Sequence, residues 1–526
     1  MAVTTTKGIN KVIFSSSLGT LIEWYDFYIF GMLAKTISVQ FFPEGNDTAA
    51  LLSTLAIFAA GFLVRPFGAL VFGRLGDLIG RKYTFLLTLV LMGGATFLIG
   101  LVPGYKTIGI AAPLLVLLLR LIQGLALGGE YGGAATYVAE HAPEGRRGYF
   151  TAWIQTTATL GLFVALGVIM VVKGNMSDAS FNAEWGGWRY PFWISILLVV
   201  VSIYIRMRMN ESPAFAKLKA EKKTSVNPLK ESFGNKSNFK MVLLALFGAV
   251  MGQGVIWYTG QFYAQSFLEN TVKIEFMQNR EILLWGIALA TPFFVFFGWL
   301  SDQFGRKWIM MTGMLLGVVF YRPIFSTFLK DADAKEWMGK LEEQHPNKKL
   351  SFADKDFLLK NDTVKRNDGT ILLIRQVKSI YTYGGNQFAK TFTDTTQVKA
   401  DYMLKVISTQ VSVPVYSDKI LSIALKWKFI FLVWTMIFFV TMVYGPVAAF
   451  LVELFPTKIR YTSMSLPYHI GNGVFGGLVP FIATLLSTTF TSDPLVGLWY
   501  PIGVAALCFV IGTLYLTNKV DKNIHD

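Results

Sequence analysis

A ten-residue phrase occurs twice in this 526-residue chain. Gly73-Arg74-Leu75-Gly76-Asp77-Leu78-Ile79-Gly80-Arg81-Lys82 returns 225 residues later as Gly298-Trp299-Leu300-Ser301-Asp302-Gln303-Phe304-Gly305-Arg306-Lys307. Each copy joins two long apolar runs. A charged turn repeated at that spacing predicts two related helical bundles in parallel repeat.

The runs on either side set the environment of those bundles. Hydrophobic residues make up 53% of the chain and charged ones only 15%, where soluble domains carry nearer a quarter charged. Apolar stretches of about 20 residues, the length that crosses ~30 Å of hydrocarbon, recur along the sequence. Twelve are expected, at 14–42, 50–76, 83–102, 109–140, 149–173, 188–208, 240–268, 281–300, 307–327, 427–452, 462–488 and 496–517. Within lipid, a helix satisfies every backbone group inside one such run, whereas a barrel would read as short alternating strands. The expected fold class is therefore an all-α membrane protein of twelve transmembrane helices in two six-helix halves.

The net charge of +15 could suggest nucleic acid, but the positive-inside rule accounts for it without such a partner. Lys217, Lys219, Lys222, Lys223, Lys230, Lys236 and Lys240 cluster at 210–240. Arg81 and Lys82, Arg146 and Arg147, Arg306 and Lys307, and Lys458 and Arg460 fall on the same side. Glu44, Asp47, Asp178, Glu184 and Glu269 lie opposite. Both termini are then cytoplasmic, in a multi-pass protein of the cell inner membrane, with lipid as surroundings. Met1–Lys11 is polar and the first apolar run is too long for a cleaved leader. Cys508 is the only cysteine, which excludes an internal disulfide and a cysteine-based metal site.

Residues 1–209 are expected to form the first half, 210–239 a basic cytoplasmic linker, and 240–526 the second half. A second echo, Glu140-His141-Ala142-Pro143 and Glu453-Leu454-Phe455-Pro456, is spaced by 313 residues rather than 225. An insertion must lie between the ninth and tenth spans, at about 330–425. It is polar, with turn signals at Asn367-Asp368-Gly369 and Gly384-Gly385. Ile371–Ile374 and Val411–Val415 read as strands. Facing outward, it is either an α+β appendage without a transport role or a module for an extracytoplasmic partner or ligand.

In the repeated turn, Asp77 and Arg81 share a helix face, and Gly73 and Gly80 permit close approach. With Glu140, Arg146, Asp302, Arg306 and Glu453 they make a candidate cytoplasmic gate; the alternative is that the cations only anchor topology. Inside the first span, Glu23 and Asp26 also share a face. Carboxylates within a span are functional candidates by default, and two close ones resist double ionisation, as a proton carrier requires. Glu23 and Arg65 each fall roughly 18 Å from the cytoplasmic edge. Arg65 and Arg120 could pair with the span-one acids or take a substrate carboxylate through a bidentate fork. Glu130, in Gly128-Gly129-Glu130-Tyr131-Gly132-Gly133, is a second proton site or a gate partner.

Trp257-Tyr258-Thr259-Gly260-Gln261 echoes Trp24-Tyr25-Asp26-Phe27-Tyr28 without the acids. The second half then offers neutral contacts from Trp257, Tyr258, Gln261, Tyr468, His469 and Asn472, facing Tyr28, Gln123 and Gln155 of the first. His469 could carry a proton or act as a neutral hydrogen-bonding group. No histidine pair has metal-ligand spacing, and no nucleophile elbow or phosphate loop points to an enzyme.

Both copies of Gly-x-Leu-x-Asp-x-x-Gly-Arg-Lys resemble the signature loop of the major facilitator superfamily. Glu23-Trp24-Tyr25-Asp26-Phe27, Arg65-Pro66-Phe67-Gly68, Arg120-Leu121-Ile122-Gln123-Gly124, the Glu130 segment and Gly187-Trp188-Arg189-Tyr190-Pro191-Phe192 resemble its metabolite:proton symporter family. Members of that family carry proline and betaine, shikimate and 2-oxoglutarate. The resemblance implies uptake by alternating access, with a proton as coupling ion and no cofactor. It assigns Glu23, Asp26 and Arg120 to coupling, and Asp77, Arg81 and Glu140 to gating. His469 stands where that family suggests asparagine, and the insertion is atypical. The expected function is proton-coupled symport of a small organic acid or zwitterionic osmolyte. A membrane sensor using 330–425 is the alternative.

Overall fold

The computed structural model describes residues 17, 20–22, 24–79, 81–129, 135–136, 138–139, 142–143, 145–207, 230, 233–344, 353–365, 370–399, 406–455 and 460–518. The chain is mostly helical. Helices α1 (24–32) and α2 (Ala34–Phe41) are followed by α3 (Asp47–Leu63), α4 (Arg65–Ile79), α5 (Arg81–Ile99), α6 (Ala111–Leu127), α7 (Arg147–Gly174) and α8 (Tyr190–Met207). Then come α9 (Lys236–Asn270), α10 (Phe276–Phe304), α11 (Arg306–Asp331) and α12 (Ala334–Gln344). A five-stranded segment intervenes before α13 (Ile423–Tyr444), α14 (Val447–Leu454), α15 (Thr462–Thr489) and α16 (Trp499–Tyr515).

Among the described residues, eight helices are long and apolar enough to cross a membrane, and three shorter apolar ones lie at Leu87–Ile99, Ala111–Leu127 and Gly187–Val201. Several expected spans start or stop elsewhere. Asn46 caps α3 by accepting from the Ala49 amide at 2.9 Å, which begins that span at Asp47 rather than 50. The ninth span runs on to Asp331, since the apolar face does not end at 327. Two long helices depart from α geometry. The helix α9 contains π segments at Leu246–Val250 and Thr259–Tyr263, and α15 contains one at His469–Gly476. Such bulges concentrate at functional sites.

The chain divides into two compact units: 1–264 with 284–323 and 433–526, and 265–283 with 324–432. In the first, a glycine seam brings α3, α4 and α6 into backbone contact. A Cβ at Gly124 would sit 1.8 Å from the Gly61 carbonyl oxygen, and one at Gly128 would sit 2.2 Å from that of Arg65. Only glycine fits there, and the seam fixes how deep Arg65 and Arg120 lie beside each other.

The second unit holds an antiparallel sheet: β1 (Lys355–Lys365), β2 (Thr370–Tyr383), β3 (Asn386–Lys399), β4 (Val406–Val411) and β5 (Val415–Ile420). The order is β1-β2-β3-β4, with β5 also pairing β3. The expected strands were too short. Ile371–Ile374 is part of a 14-residue strand, and 411–415 bridges the break between β4 and β5. The Gly384-Gly385 signal holds: both have positive φ, 55° and 78°, and close a two-residue hairpin between Tyr383 and Asn386. The Asn367-Asp368-Gly369 signal lies outside the described residues. Phe388 packs with Trp337, Tyr381 and Tyr416 beneath the sheet.

Candidate functional site

Two guanidinium groups are buried at the centre of the first unit. Arg65 opens α4 and is 1% exposed; Arg120, in the middle of α6, is 0% exposed. Each is walled by aromatic faces. The Arg120 carbon Cζ lies 4.2 Å from the Phe27 ring centre, 4.7 Å from Phe30 and 5.0 Å from Phe58. That of Arg65 lies 4.2 Å from Phe62, 4.5 Å from Phe27 and 5.4 Å from Trp24. Cation–π contact recovers part of the cost of dehydrating a cation. Hydrogen bonds recover little more. Nη1 of Arg120 donates to Gln123 Oε1 at 2.6 Å and to the Phe27 carbonyl at 3.4 Å. Gln123 donates onward to Thr96 Oγ1 at 2.6 Å, so α5 holds Gln123 and Gln123 holds the arginine. Nε and Nη2 of both arginines have no partner.

Neutral polar groups face the arginines from the other repeat. Tyr258, in α9, packs on Phe62 at 5.0 Å, and its hydroxyl lies within electrostatic reach of both guanidiniums. Tyr28 packs on Phe262 at 5.0 Å. His469 begins the π segment of α15 near Arg65, with neither ring nitrogen paired. The hydroxyls of Tyr28 and Tyr258 and both side-chain polar atoms of Gln261 are buried without partners. Trp257 packs on Tyr444 at 4.8 Å. Tyr444 and Tyr468 share a hydroxyl hydrogen bond of 2.9 Å, and Asn472 Nδ2 donates to Tyr468 at 3.1 Å. Gln155 is fully buried in α7.

The acids are not where pairing with the arginines would put them. Asp26 is 1% exposed and neither carboxyl oxygen has a hydrogen-bond partner. Its Oδ2 lies 3.3 Å from where a Cβ on Gly93 of α5 would stand, and it faces Ser195 of α8. Phe27, one residue and about 100° further round the helix, faces the guanidiniums instead. The expected contact between Asp26 and either arginine is therefore not made. Glu23, Glu130 and Glu140 lie outside the described residues.

The second copy of the repeated turn is assembled. Arg306 Nη1 meets Asp302 Oδ1 at 2.6 Å, and Nη2 meets Glu453 Oε1 at 2.9 Å. Asp302 also accepts from the backbone amides of Gly148 and Tyr149, both at 2.8 Å. Those amides open α7, where helix N–H groups lack intrahelical acceptors and favour negative charge. A Cβ on Gly148 would stand 2.3 Å from the Gly298 carbonyl oxygen, so this approach requires glycine. Lys307 donates to the Thr513 and Leu516 carbonyls at 2.7 and 2.8 Å, closing the end of α16. Arg146 is exposed and in no ion pair among the described residues. In the first copy, Gly80 and the side chains of Gly73, Asp77 and Arg81 lie outside them.

Sequence reasoning missed Phe27, Phe58, Phe62 and Phe262 as the walls of the site, Thr96 as the anchor of Gln123, and the α7 amides as partners of Asp302. A Phe count of 44 hides which few face an arginine. The signal that could have found them is the i, i+4 row Trp24–Tyr28 beside Phe27, and the glycines opposite. No group of three or more His, Cys, Asp or Glu able to hold a metal occurs among the described residues.

Residues 12–241 match the family described as "Sugar (and other) transporter". The chain is 31% identical over 486 residues to the inner membrane metabolite transport protein YhjE of Escherichia coli K12, covering 91% of this chain and 88% of that one. It is 37% identical over 314 residues to the alpha-ketoglutarate permease of the same strain, covering 60% and 71%. Against its proline/betaine transporter it is 34% identical over 330 residues, covering 60% and 64%. The partially occluded, inward-open structure of the E. coli xylose transporter XylE matches the fold with a TM-score of 0.62 at 14% identity, over 98% of this chain and all of that one.

Proposed function

Because this chain belongs to the major facilitator superfamily, and is accordingly a multi-pass inner-membrane secondary transporter rather than an enzyme, we propose that it couples inward movement of a small organic acid or zwitterionic osmolyte to protons. Residues 1–209 and 240–526 act as the two rocking halves, joined by the basic linker 210–239. Both termini face the cytoplasm, and the 330–425 insertion faces outward. Substrate binds between the halves, with a carboxylate towards Arg65 or Arg120 and neutral contacts from Tyr28, Gln155, Tyr258, Gln261, Tyr468, His469 and Asn472.

The observation that carries this reading is the separation of one buried carboxyl from two buried guanidiniums within one unit. Asp26, with unpaired oxygens between α1, α5 and α8, is suited to hold and release a proton. The arginines, against the Phe27 face of α1 about 100° away, are suited to hold an anion. A turn of α1 moves Asp26 and the Phe27 wall of the arginines together, so proton and substrate are coupled through that helix rather than by exchange of direct partners. The Asp302–Arg306–Glu453 cluster on the α7 amides latches the cytoplasmic side while the other is open.

The test is uptake into proteoliposomes under an imposed pH gradient, screened over organic acids and betaines. Accumulation that collapses when a protonophore dissipates the gradient is expected. Transport indifferent to the gradient would exclude symport.

A further inference from the structure

We infer that the central site takes a substrate with two carboxylates, one held by each of Arg65 and Arg120. This rests on the transport reading above and narrows its substrate class. The key lies in which atoms are unpaired. In both guanidiniums they are Nε and Nη2, the two donors along one edge. That edge is the side of the fork that meets the two oxygens of a carboxylate in parallel. Two such edges, buried and unused by protein acceptors, are a demand for two anionic groups. Left unpaired in a dry core they are costly, and burial of an arginine within a span is characteristically functional.

The two guanidiniums share one aromatic wall and otherwise sit in different cages. Phe27 stands within 4.5 Å of both guanidinium carbons. Beyond it the cages differ: Phe62 and Trp24 wall Arg65, whereas Phe30 and Phe58 wall Arg120. Gln123 and the Phe27 carbonyl already occupy Nη1 of Arg120, and its free edge lies beside Gly61 of α3, where a Cβ would stand 3.6 Å from Nη2 and 3.7 Å from Nε.

A zwitterion is disfavoured for the complementary reason. Its ammonium would sit beside two cations and needs a facing carboxylate. Asp26 is on a different face of α1, toward Gly93 and Ser195. Among the described residues the remaining lining, Tyr28, Tyr258, Gln261 and His469, carries no carboxylate. It can hydrogen-bond the middle of a diacid but cannot balance a positive end.

The full-length protein in proteoliposomes with an inside-alkaline gradient decides this. Malonate, succinate, glutarate and 2-oxoglutarate are compared with butyrate, succinamate and glycine betaine. At least one diacid should be accumulated, and removing one of its charges should weaken competition roughly 10- to 100-fold. Arg65→Gln and Arg120→Gln should each lose that diacid and shrink the discrimination between it and its monoamide. Arg65→Lys and Arg120→Lys, which keep charge and bulk but not the fork, guard against misfolding and should also lose discrimination. Accumulation of betaine or a monoacid with no competition from any diacid overturns the inference and leaves the transport reading intact. Binding is read separately by thermal shift of the purified protein. Diacid-specific stabilisation without gradient-driven uptake keeps the inference and removes the symport reading.

Discussion

Asp26 and Phe27 are neighbours in sequence and face sides of their helix about 100° apart, and that rotation separates the proposed proton site from the proposed substrate site. The first prediction follows. Asp26→Asn keeps the shape of the side chain in its pocket beside Gly93 and Ser195 but cannot release a proton. It should abolish accumulation driven by a pH gradient, so the inside-to-outside ratio falls to unity. Substrate-induced thermal stabilisation should persist near wild type, since no bond to the arginines is removed. Full accumulation by the variant would take Asp26 out of the mechanism. At this scale the sequence was readable in part. Spacing gave depth, because 1.5 Å per residue is fixed, and so Arg65, Arg120 and Asp26 all emerged as buried. It did not give azimuth. Which face of α1 meets which neighbour depends on side-chain packing with α3, α5 and α8, and periodicity alone leaves that open.

At the scale of elements, the repeated turn shows what duplication can and cannot transmit. The repeated phrase identified Asp302 and Arg306, the second echo identified Glu453, and the structure joins them. Their anchorage on the first turn of α7 was illegible, because backbone amides carry no sequence signature. Asp302→Asn removes the charge that accepts from Gly148 and Tyr149 and balances Arg306. It should lower the stability of this closed arrangement by about 1.5–3 kcal/mol, seen as a fall in Tm and a rise in reactivity of cysteines placed along the α7–α10 contact. Gly148→Ala should produce the same shift sterically, through a Cβ placed against the Gly298 carbonyl. An unchanged Tm in both variants would show that the contact is not a latch. The π segments of α9 and α15 were likewise unreadable, since one extra residue in a turn alters hydrogen bonding but not composition. In the sheet, Lys419 offers a titration. Burial brings its ammonium down to about 8 from 10.5, against a smaller opposing pull from Asp333, while Nζ donates to the Ala332 carbonyl at 2.5 Å. A base with a lowered folded value is charged more readily when unfolded, so the unfolded chain binds the extra proton between those two pH values. Stability should therefore rise as pH increases from about 8 to about 10.5. Lys419→Met should flatten that slope in chemical denaturation followed at several pH values. A slope unchanged in the variant would assign it to other groups.

For the whole molecule the decisive comparison is between the unit that holds the arginines and the unit that holds the sheet. Length arithmetic on the two echoes put the insertion at about 330–425, and the strands from Lys355 to Ile420 fall within those bounds. Its content was underestimated because strands of 14 residues with mixed polar and apolar faces lack the clean alternation of a half-buried strand. Every group assigned here to substrate, proton or latch lies in the first unit, 1–264 with 284–323 and 433–526. The sheet, by contrast, is bound into its own unit by Gln278 donating to the Leu421 carbonyl at 3.0 Å, Lys419 donating to Ala332, and the Lys273–Lys419 backbone pairing. Excising residues 335–416 and bridging them with a Gly-Ser linker of about twelve residues spares all three of those contacts. Because Arg65, Arg120, Asp26 and their described partners all lie outside the excised segment, gradient-driven uptake should stay within about twofold of the full chain. The protein should meanwhile lose a separate unfolding step if the sheet melts independently. Loss of uptake by a variant that remains folded and monodisperse would mean that the sheet takes part in the transport cycle, and the division of labour between the two units argued here would fall.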